Sequence, residues 1–94
     1  MDAAFECTNT FSIPPRRLFV IAGRIVKGTA SAGMLIDMPK ADGTSIAAEI
    51  KDIAMIHAQE PLLGISIEYT DEAELQMLRS LAIEGLILRI RSAP

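Results

Sequence analysis

The sequence predicts a mainly β protein: a small closed barrel of six to seven antiparallel strands, with one short α-helix before the last strand. Three glycines, Gly23, Gly28 and Gly33, are spaced five residues apart, with apolar strand patterns on either side. Glycine accepts positive φ and close backbone approach without steric cost, so we expect corners at Gly28 and Gly33 and a bulge or bend within a strand at Gly23. A chain that turns twice within six residues closes a small β structure on itself.

The size and composition fit a single folded domain. The chain has 94 residues, of which 50% are hydrophobic and 22% are charged, and these proportions are typical of a globule rather than a disordered segment. We expect one barrel domain spanning residues 1–94. The formal net charge of −3 does not supply the clustered cations that non-specific nucleic-acid binding needs, although a local basic patch stays open.

The sequence points to the cytoplasm and not to a membrane. Its apolar runs are far shorter than the ~20 residues that span a bilayer, and no basic flank precedes an apolar run at the N-terminus. Cys7 is the only cysteine, so no intramolecular disulfide forms, which fits a reducing compartment. Cys7 is either a reactive thiol or a small buried hydrophobe, and the second interpretation is favoured.

Two strands are predicted before the glycine corners. Period-two alternation over residues 5–13 indicates a half-buried strand, which Pro14-Pro15 ends because proline cannot donate to a ladder. Asn9 interrupts the apolar face and marks a bulge. The residues predicted to share the inward face are Phe5, Cys7, Phe11 and Ile13. The nearly continuous apolar run over residues 18–26 is typical of a strand covered on both faces or near a barrel seam.

Three more strands follow the corners. Alternation predicts strands over residues 34–38, 45–53 and 62–69. Asp42-Gly43 lies between the first two of these and is a strong hairpin signal. Residues 54–61 are predicted to form a loop.

A helix and a final strand complete the pattern. Glu74 lies three residues after Asp71, which is capping-box spacing, so a helix begins at Thr70 or Asp71. Its apolar stripe is expected to pack on the barrel rather than form a partner groove. The stripe consists of Leu75, Leu78 and Ala82, with Met77 and Leu81 beside them. The last strand is expected to point Leu86, Leu88 and Ile90 inward, and Arg89 and Arg91 outward.

The segment around the glycines resembles a known family. The run Phe19-Val20-Ile21-Ala22-Gly23-Arg24-Ile25-Val26-Lys27-Gly28, followed by Gly33, is similar to the second domain of translation elongation-factor GTPases. The pattern of that domain is an apolar strand, then Gly-Arg-aliphatic-x-basic-Gly, then a further glycine five residues on. Positions 23, 24, 25, 27, 28 and 33 match it. The likeness continues through Gly64 and Gly85 and covers roughly residues 11 to 91.

The resemblance implies a closed β-barrel of the translation-factor type without the enzymatic half. The Gly-x4-Gly-Lys-Ser/Thr phosphate loop that GTP chemistry requires does not occur in the sequence, so no GTP hydrolysis is expected. The segment between Tyr69 and Gly85 is also longer than the helical turn usual in the family. In elongation factors this barrel contacts the ribosome and, in the tRNA-delivering member, the aminoacyl end of tRNA. Those contact residues do not carry over one by one.

The resemblance favours a non-catalytic module that docks a protein or ribonucleoprotein partner and holds no cofactor or metal. Four cations that lie near one another in the sequence form a candidate partner-binding rim. They are Arg16, Arg17, Arg24 and Lys27. An acidic protein or an RNA phosphate would bind there. The alternative is a self-associating structural protein with no nucleic-acid role, in which the predicted helix covers a strand edge or packs against a second copy.

Catalytic and metal chemistry have few candidate residues. His57 and Glu60 offer an acid–base pair, but the sequence places no serine, cysteine or aspartate to complete a site. Asp42 is either a metal ligand or a turn residue. No second carboxylate lies at ligand spacing from it, so the turn is favoured. We expect no enzyme activity.

Overall fold

The protein folds as one antiparallel sheet with a single helix. The computed structural model describes residues 2–56 and 62–93. Within those ranges the elements are β1 (Ala3–Ile13), β2 (Leu18–Lys27), β3 (Leu35–Pro39), β4 (Ser45–Glu49), β5 (Asp52–Ile56), β6 (Leu62–Glu68), α1 (Glu72–Arg79) and β7 (Ile87–Arg91). A short 3-10 turn, Pro14–Arg16, joins β1 to β2. The mainly β class and the helix before the last strand are confirmed.

The strand order leaves the predicted closed barrel confirmed only in part. The seven strands form one sheet in the order β4-β3-β7-β1-β2-β6-β5, and every ladder is antiparallel. This order has two ends, β4 and β5, so the described ladders do not close into a ring. The two end strands are nevertheless consecutive in the chain.

The strand predicted over residues 45–53 is wrong as a single element, because the chain changes partner in its middle. The Ile50 N–H donates to the Met34 carbonyl at 2.8 Å, on the β3 side. The next amide, of Lys51, donates to the Ser66 carbonyl at 2.8 Å, on the β6 side. The prediction that the loop begins at residue 54 is also wrong, because β5 continues to Ile56. The rest of that predicted loop lies outside the described residues.

A bulge in β1 corrects the predicted inward face of this strand. Cys7 is paired with Gly23 and Asn9 with Ala22, so Thr8 has no partner of its own. An extra residue reverses which side chains face inward beyond it. Phe5 is therefore fully buried, whereas Phe11 is 41% exposed, contrary to the prediction that they share a face. The bulge itself lies next to the predicted position, Asn9.

The first glycine of the predicted trio permits a close approach between strands. A Cβ atom at Gly23 would overlap the carbonyl oxygen of Glu6 on β1. The irregularity predicted at Gly23 lies on the opposite strand, at the β1 bulge. Gly28 and Gly33 have φ of +76° and +93°, so the two corners predicted from their spacing are confirmed.

One apolar core lies between the inner sheet face and the helix. Its fully buried side chains include Phe5, Phe19, Ile21, Ile36, Met38, Ile50, Ile65, Ile83, Leu88 and Ile90. Leu75 and Leu78 of α1 are buried as predicted. Leu86 and Ala82 are exposed, contrary to prediction. The physical reason is that α1 ends at Arg79 and β7 begins only at Ile87, so neither residue lies in a regular element.

The helix begins where its capping pattern predicts. The Asp71 Oδ1 atom accepts a hydrogen bond from the Glu74 N–H at 2.8 Å, which satisfies one of the unpaired amides at the helix start. The Glu74 carboxylate accepts a hydrogen bond from the Thr70 hydroxyl at 3.0 Å. The N-terminal cap therefore involves both residues that the sequence indicated.

We predict that alanine is tolerated less well at Gly28 than at Gly33. Both positions have positive φ, which costs an alanine about 1–2 kcal/mol. A Cβ at Gly28 would also lie 2.6 Å from the Asp2 carbonyl oxygen, whereas a Cβ at Gly33 meets nothing within 4 Å. Urea unfolding should show a larger loss of the free energy of unfolding for Gly28→Ala than for Gly33→Ala. Equal losses would mean that the N-terminal strand shifts freely.

Candidate partner-binding surfaces

The four cations of the predicted rim lie at two ends of one strand. Arg16 and Arg17 precede the first residue of β2, and Lys27 is its last residue. Ten residues of extended chain separate Arg17 from Lys27, which is roughly 30 Å at the usual rise of a strand. The expectation that all four converge is therefore wrong, because β2 holds the two pairs apart. Whether either pair binds a partner stays a prediction.

The Arg17 backbone has a structural role at the first end. Arg17 adopts a left-handed conformation with φ of 53°, and its carbonyl accepts a hydrogen bond from the Tyr69 N–H at 3.0 Å. Its guanidinium Nη1 donates to the Thr70 carbonyl at 3.4 Å. Arg17 thus connects the start of β2 to the segment that leads into α1. Arg16 beside it is exposed and borders a shallow depression with Lys51 and Glu68.

At the second end, Arg24 and Lys27 share the outer face of the sheet. Arg24 is paired with Glu6 and Lys27 with Ala4. Glu6 and Ala4 are two residues apart on β1 and lie on one face, so their partners do as well. The Arg24 Nε atom is 3.6 Å from Glu6 Oε1. Lys27 is exposed and forms no ion pair with a described residue.

Strand β7 extends this outer face on the other side of β1. Ala4 is paired with Arg89 as well as with Lys27, so the two cations flank a small residue. The Arg89 guanidinium forms an ion pair with the Asp2 carboxylate at 2.8 Å. Arg91 forms another with Asp37 at 3.0 Å, and that carboxylate raises the pKa of the Arg91 guanidinium.

A groove follows this row of residues. Its volume is about 470 Å³. It is lined by Asp2, Ala3, Ala4, Lys27, Ile87, Leu88 and Arg89. Ile87 is 63% exposed and Val26 on the neighbouring strand is 47% exposed. We call this region, consisting of the groove with Arg24 and Val26, the outer groove. It combines cations with uncovered aliphatic side chains.

Arg89 is a member of the outer groove that was not predicted from the sequence. Residue 89 is more than sixty positions from Lys27, and only the pairing of both with Ala4 brings them together. The alternation in the last strand does place Arg89 on the outward side. That alternation was the available signal, but it does not indicate which strand is the neighbour.

A second cleft lies between β4, the end of β6 and α1. Its volume is about 460 Å³. Its lining includes Ala47, Glu49, Lys51, Glu68, Glu74 and Met77. Three of these side chains are carboxylates and one is a cation. We call this region the acidic cleft.

Cys7 lies in the core and not at a site. Its side chain is 1% exposed, and its carbonyl accepts a hydrogen bond from the Gly85 N–H at 2.8 Å. Burial, with a smaller effect of the Glu84 charge, raises the pKa of the Cys7 thiol to about 11 from an ordinary 9.0. The thiol therefore remains protonated at neutral pH, in agreement with the favoured interpretation as a small buried hydrophobe.

Asp42 has the turn role that was favoured for it. Its Oδ1 atom accepts hydrogen bonds from the Thr44 N–H at 3.0 Å and the Thr44 hydroxyl at 2.6 Å. These bonds lower the pKa of the Asp42 carboxyl. Among residues 2–56 and 62–93, no group of three or more His, Cys, Asp or Glu side chains is arranged to hold a metal ion. His57 and Glu60 lie outside the described residues.

The chain was compared with protein families, curated proteins and solved structures. No protein-family model, no curated protein and no solved structure matches the chain. The resemblance to the elongation-factor barrel therefore stays an expectation from the glycine pattern. Within the part of the chain that the structure describes, no helix has the length and apolar character needed to cross a bilayer.

We predict that Cys7 makes the protein sensitive to alkaline pH. The unfolded thiol loses its proton near pH 9, while the folded one keeps it until about pH 11. The folded state then binds more protons than the unfolded state in this window, so the free energy of unfolding falls as pH rises. Urea unfolding at pH 8 and pH 10.5 should show a smaller fall for Cys7→Ala than for the unchanged chain. Parallel profiles would contradict this.

Proposed function

We propose that the protein is a non-catalytic binding module whose outer groove docks an acidic protein or a ribonucleoprotein. The observation that carries this proposal is the exposed Ile87 side chain, which lines the outer groove together with Lys27 and Arg89 and lies opposite Glu6 on β1. Isolated exposed aliphatic residues are common, but one that shares a concave surface with two cations offers both burial and charge to a partner.

The charges of the outer groove favour an anionic partner. Lys27 has no ion-pair partner among the described residues, so its ammonium group is available to a carboxylate or a phosphate. Arg89 is held in place by Asp2 at 2.8 Å, which fixes the direction of its guanidinium. A partner that buries Ile87 would remove water from both cations and strengthen their interaction with an anion.

We further propose that the sheet is a barrel of the translation-factor type, closed at the junction of β4 and β5 and open along the gap between β4 and the end of β6. Two features support closure. Ile50 and Lys51 are adjacent in the chain yet bond to β3 and β6, which lie on opposite sides of the strand order. Helix α1 also packs on the core through the buried side chains of Leu75 and Leu78. It borders the gap between β4 and β6, which no ladder joins in the described ranges.

Closure predicts slow hydrogen exchange at the junction of β4 and β5. If the chain bridges the two ends of the sheet, the amides of Ile50 and Lys51 are both held by strong bonds and exchange as slowly as those of β1 and β2. The amide of Ala47 serves as the internal control because it faces the acidic cleft. Residue-resolved exchange by NMR measures all of these amides. Exchange at Lys51 as fast as at Ala47 would contradict closure.

We predict that reversing the charge at Lys27 abolishes partner docking. Arg16→Glu is the matched control, since both residues are exposed cations without a described ion pair and lie at opposite ends of β2, Arg16 just before it and Lys27 as its last residue. Lys27→Glu should reduce recovery of the partner from lysate at least about tenfold, equivalent to about 1.4 kcal/mol, while Arg16→Glu retains it. Quantitative mass spectrometry of the captured material, followed by binding of the purified partner, provides the measurement.

The control arms of this experiment separate the alternatives. Nuclease treatment before capture distinguishes a ribonucleoprotein from an acidic protein. Loss with Arg16→Glu and retention with Lys27→Glu would move the interface to the other end of β2. Self-association is the second candidate, favoured by the exposed Ile87 and Val26 side chains. Light scattering at high micromolar concentration tests it, and a dimer that Ile87→Ser dissolves would replace the docking proposal.

A further inference from the structure

Among residues 2–56 and 62–93, no strand pairs with the edge of β4 that faces the acidic cleft. In an antiparallel ladder, alternate residues turn their N–H and C=O groups towards the partner strand. Bonds from Ile50 N–H to Met34 and from Lys40 N–H to Thr44, both 2.8 Å, bracket the β3–β4 ladder. The even-numbered residues of β4 thus bond to β3. The backbone groups of Ser45, Ala47 and Glu49 therefore point away from β3, and of these three residues Ala47 and Glu49 line the cleft.

The opposite wall of the cleft has a matching opening. Strand β5 pairs with β6 only as far as Ser66, which is opposite Asp52. The following residues, Ile67 and Glu68, remain paired with β2 on their other side. No ladder joins β4 to β6 in the described ranges. The gap between them therefore exposes strand edges rather than only side chains.

The length of the β4 edge and the lining of the acidic cleft suit an extended chain. Strand β4 offers five residues of edge, which is roughly 17 Å at the rise of a strand. Ala47 is small and leaves space above this edge. Met77 of α1 lines the cleft, and the unbranched thioether of methionine adapts to different neighbours.

The charge of the cleft selects the kind of chain that fits. Glu49, Glu68 and Glu74 line it, against the single cation Lys51. One carboxylate oxygen of Glu74 also accepts a hydrogen bond from the Thr70 hydroxyl at 3.0 Å. This bond keeps the Glu74 carboxylate beside the cleft. An incoming strand with lysine or arginine at alternate positions would meet these carboxylates. A second copy of β4 would instead bring another Glu49 carboxylate into the same space.

We propose that the free edge of β4 binds an extended, lysine- or arginine-bearing segment of another protein by strand addition. The backbone of the segment would bond to Ala47 and Glu49, and its cations would pair with the cleft carboxylates. This site is separate from the outer groove and does not depend on it. Unprotected edges are where natural sheets add strands, and no described strand pairs with this one.

The proposal is tested with a soluble peptide of alternating lysine and valine, capped at both ends, on the full chain. NMR hydrogen exchange with and without the peptide is the readout. Binding should protect the amides of Ala47 and Glu49 while leaving those of Ile46 and Ala48 unchanged, because the latter already bond to β3. A peptide of alternating glutamate and valine is the charge control, and it should bind at least about tenfold more weakly.

Two variants isolate the edge from the charge. Ala47→Pro removes an N–H that points into the cleft and leaves the β3 ladder intact. It should abolish peptide binding while the protein stays folded, whereas Ala48→Pro should unfold it by breaking that ladder. Glu49→Lys should weaken binding about tenfold. The matched control is Glu72→Lys, an exposed change on α1 that is not among the cleft residues.

Four outcomes would overturn the proposal. They are no protection at millimolar peptide, equal binding of the glutamate peptide, unchanged binding to Ala47→Pro, and edge protection that grows with protein concentration in the absence of peptide. The last outcome would identify a second copy as the occupant. Lys27→Glu should leave peptide binding unchanged, so failure here is distinguishable from failure of the outer-groove proposal.

Discussion

The contact between Gly23 and the Glu6 carbonyl is the constraint on which the rest of the sheet depends. Strand β1 is the middle strand of the order and pairs with both β2 and β7. Its ladder with β2 closes tightly only because position 23 has no side chain. The bulge at Thr8 comes directly after the Cys7–Gly23 pair, and an extra residue there bends and twists the strand pair. The two halves of β1 therefore face opposite ways, and Phe5 enters the core while Phe11 does not.

The strand order also determines which charged side chains lie next to one another on the surface. Because β1 lies between β2 and β7, Lys27 and Arg89 come to flank the same alanine. On the other side of the order, the change of partner between Ile50 and Lys51 holds β4 to β3 and β5 to β6. The strands diverge there, and α1 packs near the resulting gap through Leu75 and Leu78. The outer groove thus depends on the position of β1 between β2 and β7, and the acidic cleft depends on the change of partner between β4 and β5.

The sequence predicts the local features of this fold and fails where pairing is long-range. Alternation locates the late strands, and the Asp71 and Glu74 spacing locates the helix start, because these signals arise within a few residues. The inward face of β1 is mispredicted because the prediction placed a bulge near Asn9 but kept Phe5 and Phe11 on one face, whereas the extra residue reverses the alternation. The separation of Arg16 from Lys27 could have been predicted from the sequence, because a predicted strand lies between them and an extended strand holds its two ends far apart. The proximity of Lys27 to Arg89 could not have been predicted, since alternation shows which face a residue lies on but not which strands are neighbours in the sheet.

Local charge, not net charge, determines what each surface attracts. Charges more than about 8 Å apart across solvent are largely screened at physiological ionic strength, so the net charge of −3 has little effect within a single groove. Lys27 and the Arg89–Asp2 ion pair lie beside Ala4, whereas Glu49, Glu68 and Lys51 line the cleft at the free edge of β4. The two proposals therefore assign a cationic chain to the acidic cleft and an anionic partner to the outer groove. Because the two surfaces share no lining residue, the proposed partners would not compete for one site.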